Sequence, residues 1–321
     1  MEKQLKEQFF KKYSKEELLK DIENLQKGSG RLNKLFNHFF EEEMYKCKGG
    51  RGAYTPMQVL DNKELVDKII EYTKSKPKFY VGNDIANIKS FFRNAGRIAQ
   101  KVANFPIREA IDIYVKYSKE GDNVYDFSCG FGSRMNATLL SRRNYFGTDP
   151  NETLCIKLNE CGKFLEDNGI LNSLLINNKY KIYCQGSEDF IPELENTIDI
   201  AFSSPPYFDL EIYGDSEKQS VVKFSEYNNW LVGYVEPTVS NTVKYLKSGG
   251  YLLVNIKNMT SGKKYKLFDD WFSICSQDSN LEYIETINMK QLSKRDYKGK
   301  HFTGVNTDFG NSEPVMVFRK K

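Results

Sequence analysis

From residue 105 onward, short β-rich runs alternate with helical stretches, and this alternation constrains the fold more than any other sequence feature. Amphipathic stretches such as "ETLCIKLNECGKFLEDNG" separate the runs. Strands separated by helices predict an α/β domain over residues 105–321, with a mainly parallel, doubly wound sheet. Ligands of such sheets bind beyond the carboxyl ends of the strands. The six runs are "NVYDF", "NYFGTD", "YKIYCQG", "TIDIAFS", "GYLLVNI" and "PVMVFRK".

The first strand end, "VYDFSCGFGSR", carries two glycines. Asp126 ends the strand, and Gly130 and Gly132 let the backbone approach a ligand without an intervening Cβ, although any tight turn can use such a pair. Asp149 ends the next strand, 17 positions after Gly132, where nucleoside-binding folds place a carboxylate for the ribose hydroxyls. No Lys-Ser/Thr pair follows the glycines, so the predicted ligand is a nucleoside without a polyphosphate.

The third strand end, "YCQGSEDF", offers polar groups for an adenine edge. Ser187, Glu188 and Asp189 follow the strand directly. The sequence leaves open which of the three side chains points inward, and capping of a surface helix is the alternative.

The fourth strand end, "AFSSPPYFDLEIYGD", contains two consecutive prolines. Proline cannot donate to a sheet, so Pro205 and Pro206 end the strand and hold the following residues in a stiff, extended form. Tyr207 and Phe208 are then presented at the edge of the sheet. The alternative is an ordinary strand-ending turn whose tyrosine packs on apolar neighbours.

Taken in this order, the glycine turn, the ribose-binding acid and "SPPY" at residues 204–207 resemble the S-adenosylmethionine-dependent amino methyltransferases of DNA. The resemblance covers residues 105–319 and includes "NFPIREAIDIY", similar to that family's cofactor-flanking motif. Phe127 and Ser128 depart from it, since the family's glycine loop usually reads D-P-F-x-G-x-G. The resemblance implies a Rossmann-like methyltransferase fold and S-adenosylmethionine as cofactor. The implied cofactor-binding residues are Phe105, Asp126, Gly130, Gly132, Asp149, Ser187 and Glu188.

The resemblance also implies a chemistry for the S-P-P-Y motif. The Ser204 hydroxyl and the Pro205 carbonyl would hold an exocyclic amino group, Pro206 would stiffen the segment, and Tyr207 would stack on a base flipped out of the duplex. In this family S-P-P-Y is more often linked to cytosine N4 than to adenine N6, so cytosine is favoured and adenine stays open. Alternative hypotheses for the function are a methyltransferase of protein glutamine or of RNA, or a nucleic-acid-binding module without activity.

Residues 1–104 read as a separate helical domain. They carry 21 Lys and Arg against 14 Asp and Glu, whereas the rest of the chain carries 26 against 29. This excess predicts a surface for a polyanion, with an uneven scatter of surface lysines as the alternative. In "NDIANIKSFFRNAGRIAQKV", Lys89, Arg93, Arg97 and Lys101 recur every four residues, which predicts one cationic stripe of a helix that contacts DNA phosphates; a solvated face is the alternative.

A second basic segment, "SKRDYKGKHFTGVNTDFGN", interleaves charged and stackable side chains. Lys294, Arg295 and Lys298 are predicted DNA contacts there, and a solvated loop is the alternative. Duplex DNA is therefore the predicted partner, and the family resemblance allows a restriction endonuclease as a further one.

The composition excludes several classes of protein. Hydrophobic residues make up 40% and charged residues 28%, as is typical of soluble globular proteins. No apolar run is long enough to span a membrane, and the charged first residues do not resemble a signal peptide, so a cytoplasmic location is expected. The six cysteines form no C-x-x-C pair, and only His38 and His301 could assist a metal. Neither a metal site nor a disulfide framework is expected.

Overall fold

Strands between residues 123 and 320 form one seven-stranded sheet. The structure is a computed structural model that describes residues 2–49, 52–76, 80–94, 98–171, 178–210, 212–213, 217–259, 265–288 and 313–321. The strands are β1 (Asn123–Asp126), β2 (Asn144–Thr148), β3 (Tyr180–Tyr183), β4 (Ile198–Ser203), β5 (Leu246–Asn255), β6 (Leu281–Asn288) and β7 (Pro314–Lys320).

The strand order is β3-β2-β1-β4-β5-β7-β6. The pairs among the first five of these strands are parallel, and β7 runs antiparallel to both β5 and β6. This confirms the predicted α/β class and the Rossmann-like, mainly parallel sheet. Strand β6 was not predicted, because Glu282 and Glu285 interrupt its apolar pattern. As an edge strand it tolerates charges that a central strand would not.

The register of the central strands sets where a ligand can bind. Val124 of β1 pairs with Tyr145 of β2 on one side and with Ile200 of β4 on the other. All three strands are parallel, so their carboxyl ends lie side by side. The residues that follow β1, β2 and β4 therefore share one edge of the sheet.

Thirteen α-helices are present among the described residues. In the first third of the chain they are α1 (Glu2–Phe9), α2 (Lys15–Gln26), α3 (Asn33–Lys46), α4 (Pro56–Leu60), α5 (Lys63–Lys74) and α6 (Asp84–Asn94). Around the sheet they are α7 (Ile107–Tyr117), α8 (Ser133–Leu140), α9 (Glu152–Asp167), α10 (Ser220–Lys223), α11 (Tyr227–Trp230), α12 (Glu236–Tyr245) and α13 (Leu267–Gln277).

The chain divides into two compact units. One comprises Met1–Asn104 together with Asp209–Asp215, and the other comprises Phe105–Phe208 and Ser216–Lys321. The short excursion after Phe208 was not anticipated from the sequence. Within the first unit, Ile212 forms an antiparallel bridge with Lys48 through two backbone hydrogen bonds of 2.9 and 3.0 Å.

Two sequence-based helix predictions are corrected. The helix predicted in "NDIANIKSFFRNAGRIAQKV", which carries the cationic stripe, ends at Asn94, so Lys101 lies outside it. The segment "FSEYNNWLVGYVEPTVSNTVKYL", after the S-P-P-Y motif, has a sequence that predicts one helix, but it passes through a π-helical turn at Leu231–Val235 between α11 and α12. Pro237, in the first turn of α12, lacks the N–H that a regular helix would need there.

No helix of the described residues combines the length and apolar character that crossing a bilayer requires. Within the same residues, His, Cys, Asp and Glu side chains form no cluster of three that could hold a metal ion. None of the six cysteines forms a disulfide bond, and only Cys184 is exposed.

Candidate active site

The turn after β1 depends on its glycines. Gly130 and Gly132 adopt φ angles of +54° and +72°, in the left-handed region that disfavours a side chain. Gly132 also precedes the first residue of α8, so the turn delivers the chain directly into a helix. The backbone N–H of Gly130 points to the Asp149 carboxylate at 3.0 Å, which joins the ends of β1 and β2.

Asp126 is fully buried, and its carboxylate accepts five hydrogen bonds from the protein. A carboxylate offers about four lone-pair positions, so none is left for a ligand. The predicted cofactor-binding role of Asp126 is corrected accordingly, because Asp126 links the glycine turn to β2 and β4. The donors are Arg134 Nε (2.9 Å) and Nη2 (3.2 Å), the Ser128 N–H (3.2 Å) and the hydroxyls of Tyr145 (2.9 Å) and Ser203 (2.7 Å).

Asp149 follows β2 and is 8% exposed. Its two oxygens accept the backbone N–H groups of Gly130 and Asn151, each at 3.0 Å. Burial raises the pKa of the Asp149 carboxyl to about 6, and the two backbone donors oppose that shift. Each oxygen keeps a lone pair that could accept a ligand hydroxyl.

The three polar candidates in the loop after β3, Ser187, Glu188 and Asp189, have different surroundings. Ser187 is buried, and its hydroxyl lies 2.8 Å from the Thr238 hydroxyl, whereas Asp189 is exposed. The Glu188 side chain is only 6% exposed, and one of its oxygens pairs with Lys223 at 2.9 Å. No donor among the described residues reaches its second oxygen, Oε2. A Cβ on Gly186 would overlap the Glu188 carboxylate, so glycine is what allows this placement.

The S-P-P-Y segment begins where β4 ends. Ser203, the last residue of β4, donates its hydroxyl to Asp126 at 2.7 Å, so Ser204 and Pro205 start beside the glycine turn. Pro205 is buried, whereas Ser204, Pro206 and Tyr207 are half-buried. The Tyr207 hydroxyl accepts the backbone N–H of Lys257, just beyond β5, at 3.1 Å.

Phe208, the next residue, has a φ angle of +53°, which is rare for a bulky side chain. Its ring packs at 5.2–5.5 Å from the rings of Tyr227, Trp230 and Tyr265, and it is only 3% exposed. Aromatic packing offsets the unfavourable backbone conformation. The chain is thus turned sharply one residue after Tyr207.

Phe105 and Arg134 lie on the other side of the glycine turn. The Phe105 ring packs edge-on against Phe202 of β4 at 5.4 Å, and the Arg134 guanidinium lies 5.5 Å from its centroid. The Phe105 carbonyl accepts the Ser133 hydroxyl at 2.5 Å. Arg134 is directed to Asp126 and to the Ser128 carbonyl, so its partner is a carboxylate of the protein itself.

The sequence reasoning missed Tyr234, which lies in the π-helical turn. Its side chain is 4% exposed, and its hydroxyl lies 3.2 Å from the Ser128 hydroxyl of the glycine turn. Thr238, one helical turn later, lies 2.8 Å from the Ser187 hydroxyl. A signal was present in the sequence, because Tyr234, Thr238 and Asn241 recur at helical spacing among apolar residues.

The predicted cationic stripe is not a row of free charges. Lys89 pairs with the buried Glu41, with its ammonium 3.0 and 3.1 Å from the two carboxylate oxygens. The Lys101 ammonium lies 5.1 Å from the Tyr45 ring centroid, and burial lowers the pKa of Lys101. Arg93 is exposed. The interpretation of Lys89 and Lys101 as free phosphate contacts is therefore corrected, because Lys89 is paired with a carboxylate of the protein and Lys101 lies against an aromatic ring.

The remaining predicted DNA contacts lie outside the described residues. They are Arg97, Lys294, Arg295 and Lys298.

Comparisons with known proteins give structural likenesses but no family. No family profile matches the sequence, and no curated protein sequence matches it either. A TehB-like SAM-dependent methyltransferase from Corynebacterium glutamicum aligns with a TM-score of 0.43 and 16% identity, over 68% of this chain and 90% of that one. An rRNA methylase from Streptococcus thermophilus aligns with a TM-score of 0.37 and 16% identity, over 68% and 98%.

A third solved structure, the tRNA (m1A58) methyltransferase TrmI of Aquifex aeolicus, aligns with a TM-score of 0.39 and 12% identity, over 69% of this chain and 71% of that one. At such identities and TM-scores, the likenesses carry no argument about the reaction or its substrate. The argument for function therefore rests on the geometry of the strand ends.

Proposed function

We propose that the protein transfers a methyl group from S-adenosylmethionine to an exocyclic amino nitrogen of a flipped base in DNA, with cytosine N4 favoured over adenine N6. One observation carries the proposal. The 2.7 Å hydrogen bond from Ser203 to Asp126 joins the strand end that bears the S-P-P-Y motif to the strand end that bears the glycine turn. A methyl donor held at the turn would therefore lie next to an amino group held at the motif.

The residues of the glycine turn and its neighbours fit this cofactor. The glycine turn leaves room for the ligand, and Asp149 keeps lone pairs for ribose hydroxyls. The unpartnered Oε2 of Glu188 is a buried acceptor, and such an atom is costly unless a donor reaches it. The exocyclic amine of adenine is a donor of the right kind. S-adenosylmethionine supplies an electrophilic methyl group when bound.

The S-P-P-Y motif suits an amine that is a poor nucleophile. The lone pair of an exocyclic nitrogen is delocalised into the base, so the nitrogen must be drawn out of the ring plane before it can attack. The Ser204 hydroxyl and the Pro205 carbonyl are acceptors for its two hydrogens. The buried Pro205 gives this pair of acceptors a fixed backbone. Fixed placement of two reacting groups can lower a barrier by about 7–11 kcal/mol.

Tyr207 is the residue proposed to stack on the base. Its hydroxyl is anchored to the Lys257 N–H, and the next residue turns the chain away at a positive φ angle. The ring is therefore held from both ends, as a stacking platform needs to be.

DNA would be engaged in part through the basic first unit, where Arg93 is exposed. Deleting residues 1–104 is a poor test of that role, because Asp209–Asp215 belong to the same unit and would lose their partners. The full chain is the proper material for every assay.

The test is transfer of a radiolabelled methyl group from S-adenosylmethionine to DNA, RNA or glutamine peptides by the full chain. Label in DNA is expected; label in RNA or peptide alone, or cofactor binding without transfer, would contradict the proposal. Tyr207→Ala should abolish most transfer while cofactor affinity stays near normal. Tyr207→Phe, which keeps the ring, should retain much of it. Tyr251→Ala, at a half-buried tyrosine of β5, is the matched control.

A further inference from the structure

The helix that follows the S-P-P-Y motif presents a buried polar face to the candidate site. Tyr234, Thr238 and Asn241 are 4%, 1% and 6% exposed and lie on one side of the helical segment. Asn241 donates its side-chain amide to the carbonyls of Ser187 and Glu188, at 3.2 and 2.9 Å. Buried polar side chains at this spacing are unusual unless their partners need to be held in place.

Hydroxyl groups connect this face to the glycine turn. The Ser128 hydroxyl donates to the Phe127 carbonyl at 2.7 Å, so its oxygen is left to accept a proton from the Tyr234 hydroxyl at 3.2 Å. On the other side, the Ser187 hydroxyl lies 2.8 Å from the hydroxyl of Thr238, one helical turn after Tyr234. One helical segment therefore contacts the loop after β1 through Tyr234 and the loop after β3 through Thr238 and Asn241.

The local backbone is shaped to deliver this phenol. Tyr234 lies in the π-helical turn Leu231–Val235, and single π turns in otherwise regular helices occur frequently at functional sites. Gly233, its neighbour, has no room for a side chain because the Phe224 ring fills that space. Burial raises the pKa of the Tyr234 phenol, so it stays protonated and able to donate.

The sequence around the glycine turn departs from the family it resembles at the residue that Tyr234 contacts. Where that family has phenylalanine in D-P-F-x-G-x-G, this chain has Ser128. A phenylalanine could not accept the phenol proton. The departure therefore occurs at the residue whose hydroxyl lies 3.2 Å from the Tyr234 hydroxyl.

We propose that Tyr234 is a positioning residue of the cofactor site: it ties the glycine turn to the helical segment whose Thr238 and Asn241 hold the loop after β3, and so keeps the two loops at the spacing that S-adenosylmethionine requires. This inference rests on the proposed function. Residues that already have their bound arrangement in the free protein improve ligand affinity, because less conformational entropy is lost on binding. Tyr234 acts through the glycine turn rather than by touching the reacting atoms.

The test compares Tyr234→Phe with Tyr245→Phe in the full chain. Tyr245 is a fully buried tyrosine at the end of α12 whose hydroxyl also makes a hydrogen bond, to the Ile191 N–H at 2.7 Å. Tyr234→Phe should raise the Kd and KM for S-adenosylmethionine by about tenfold, the effect of one hydrogen bond, with kcat at saturating cofactor unchanged. Tyr245→Phe also removes one buried hydrogen bond, so it should lower the Tm of the ligand-free protein. The Kd for S-adenosylmethionine should stay unchanged in this variant.

A double-mutant cycle that combines Tyr234→Phe with Ser128→Ala tests the hydrogen bond between the two hydroxyls by removing each partner in turn. Ser128→Ala should weaken cofactor binding as Tyr234→Phe does, and the double variant should be little worse than either single one. Unchanged cofactor affinity in Tyr234→Phe, or additive effects in the cycle, would overturn the inference. If the unaltered protein fails to bind S-adenosylmethionine, the proposed function fails and the inference with it; if it binds and only the Tyr234 result differs, the inference alone fails.

Discussion

Two buried carboxylates at the same edge of the sheet, Asp126 and Glu188, have opposite surroundings. Asp126 receives five hydrogen bonds and pairs with Arg134, which is itself 5% exposed. Glu188 has one ammonium partner, Lys223, and one oxygen with no partner among the described residues. A saturated buried carboxylate holds the protein together, whereas one with a free lone pair is available to a ligand. Asp126, at the start of the glycine motif, is therefore architectural, whereas Glu188, two strands away, is the residue that we propose contacts the ligand.

Asp126→Asn should have the largest effect on stability. It leaves the Arg134 guanidinium buried without its counter-charge, and breaking a buried pair in this way costs about 3–5 kcal/mol. Urea unfolding measures the loss. Asp199→Asn is the control, because Asp199 pairs with Lys247 at a partly exposed position and should cost about 1 kcal/mol or less. Equal losses in the two variants would remove the distinction drawn for Asp126.

Glu188→Leu should weaken cofactor binding without destabilising the protein, the opposite of what is expected for Asp126→Asn. It removes the acceptor proposed for the adenine amine, and hydrogen bonds to charged groups are worth about 1.5–3 kcal/mol, which predicts a loss of cofactor affinity of roughly 10- to 100-fold. The free energy of unfolding should be unchanged or higher, because an unpartnered buried oxygen is lost. Isothermal titration calorimetry and urea unfolding on the same sample check both parts. Normal affinity would show that Oε2 is not a ligand contact.

The pH dependence of cofactor binding should report Asp149. Ribose hydroxyls donate to the ionised carboxylate, and the pKa of this group is raised to about 6, so affinity should fall about tenfold between pH 7 and pH 5. The contribution of Asp149 to the free energy of unfolding has the opposite pH dependence. The folded state holds the extra proton, so the stabilisation from this group is lost as pH rises from about 4 to about 6. Asp149→Asn should bind weakly with a flat profile. A flat profile in the unaltered protein would contradict the assignment.

Glu152→Gln should have the smallest effect. Glu152 starts α9 at the same edge, but its side chain is 70% exposed and paired with Lys218. Exposed ion pairs contribute little, so cofactor affinity should stay within about twofold of the unaltered protein. A large loss would mean that exposure and pairing do not separate ligand contacts from surface acids here.

Much of the fold could be predicted from the sequence, because it depends on local patterns. Six of the seven strands were visible as β-rich runs, and the left-handed φ angles of Gly130 and Gly132 follow from their place in a tight turn. What failed were the non-local partners. Nothing near Asp126 in the sequence indicates that Tyr145 and Ser203 use its oxygens, and nothing near Lys89 indicates the buried Glu41, 48 residues away.

Tyr234 is a second example of a non-local contact that the sequence does not indicate. The sequence shows its helical spacing with Thr238, but it does not show the π-helical turn in which Tyr234 contacts Ser128, or the Phe224 ring that packs against Gly233 in that turn. Propensity rules describe regular helices, and a π turn departs from them.

Nucleoside mass spectrometry of DNA incubated with S-adenosylmethionine and the full chain tests the central claim most directly. The account predicts N4-methylcytosine in DNA treated with the unaltered protein and none in DNA treated with Tyr207→Ala. Absence of any methylated exocyclic nitrogen, with the cofactor demonstrably bound, would contradict it.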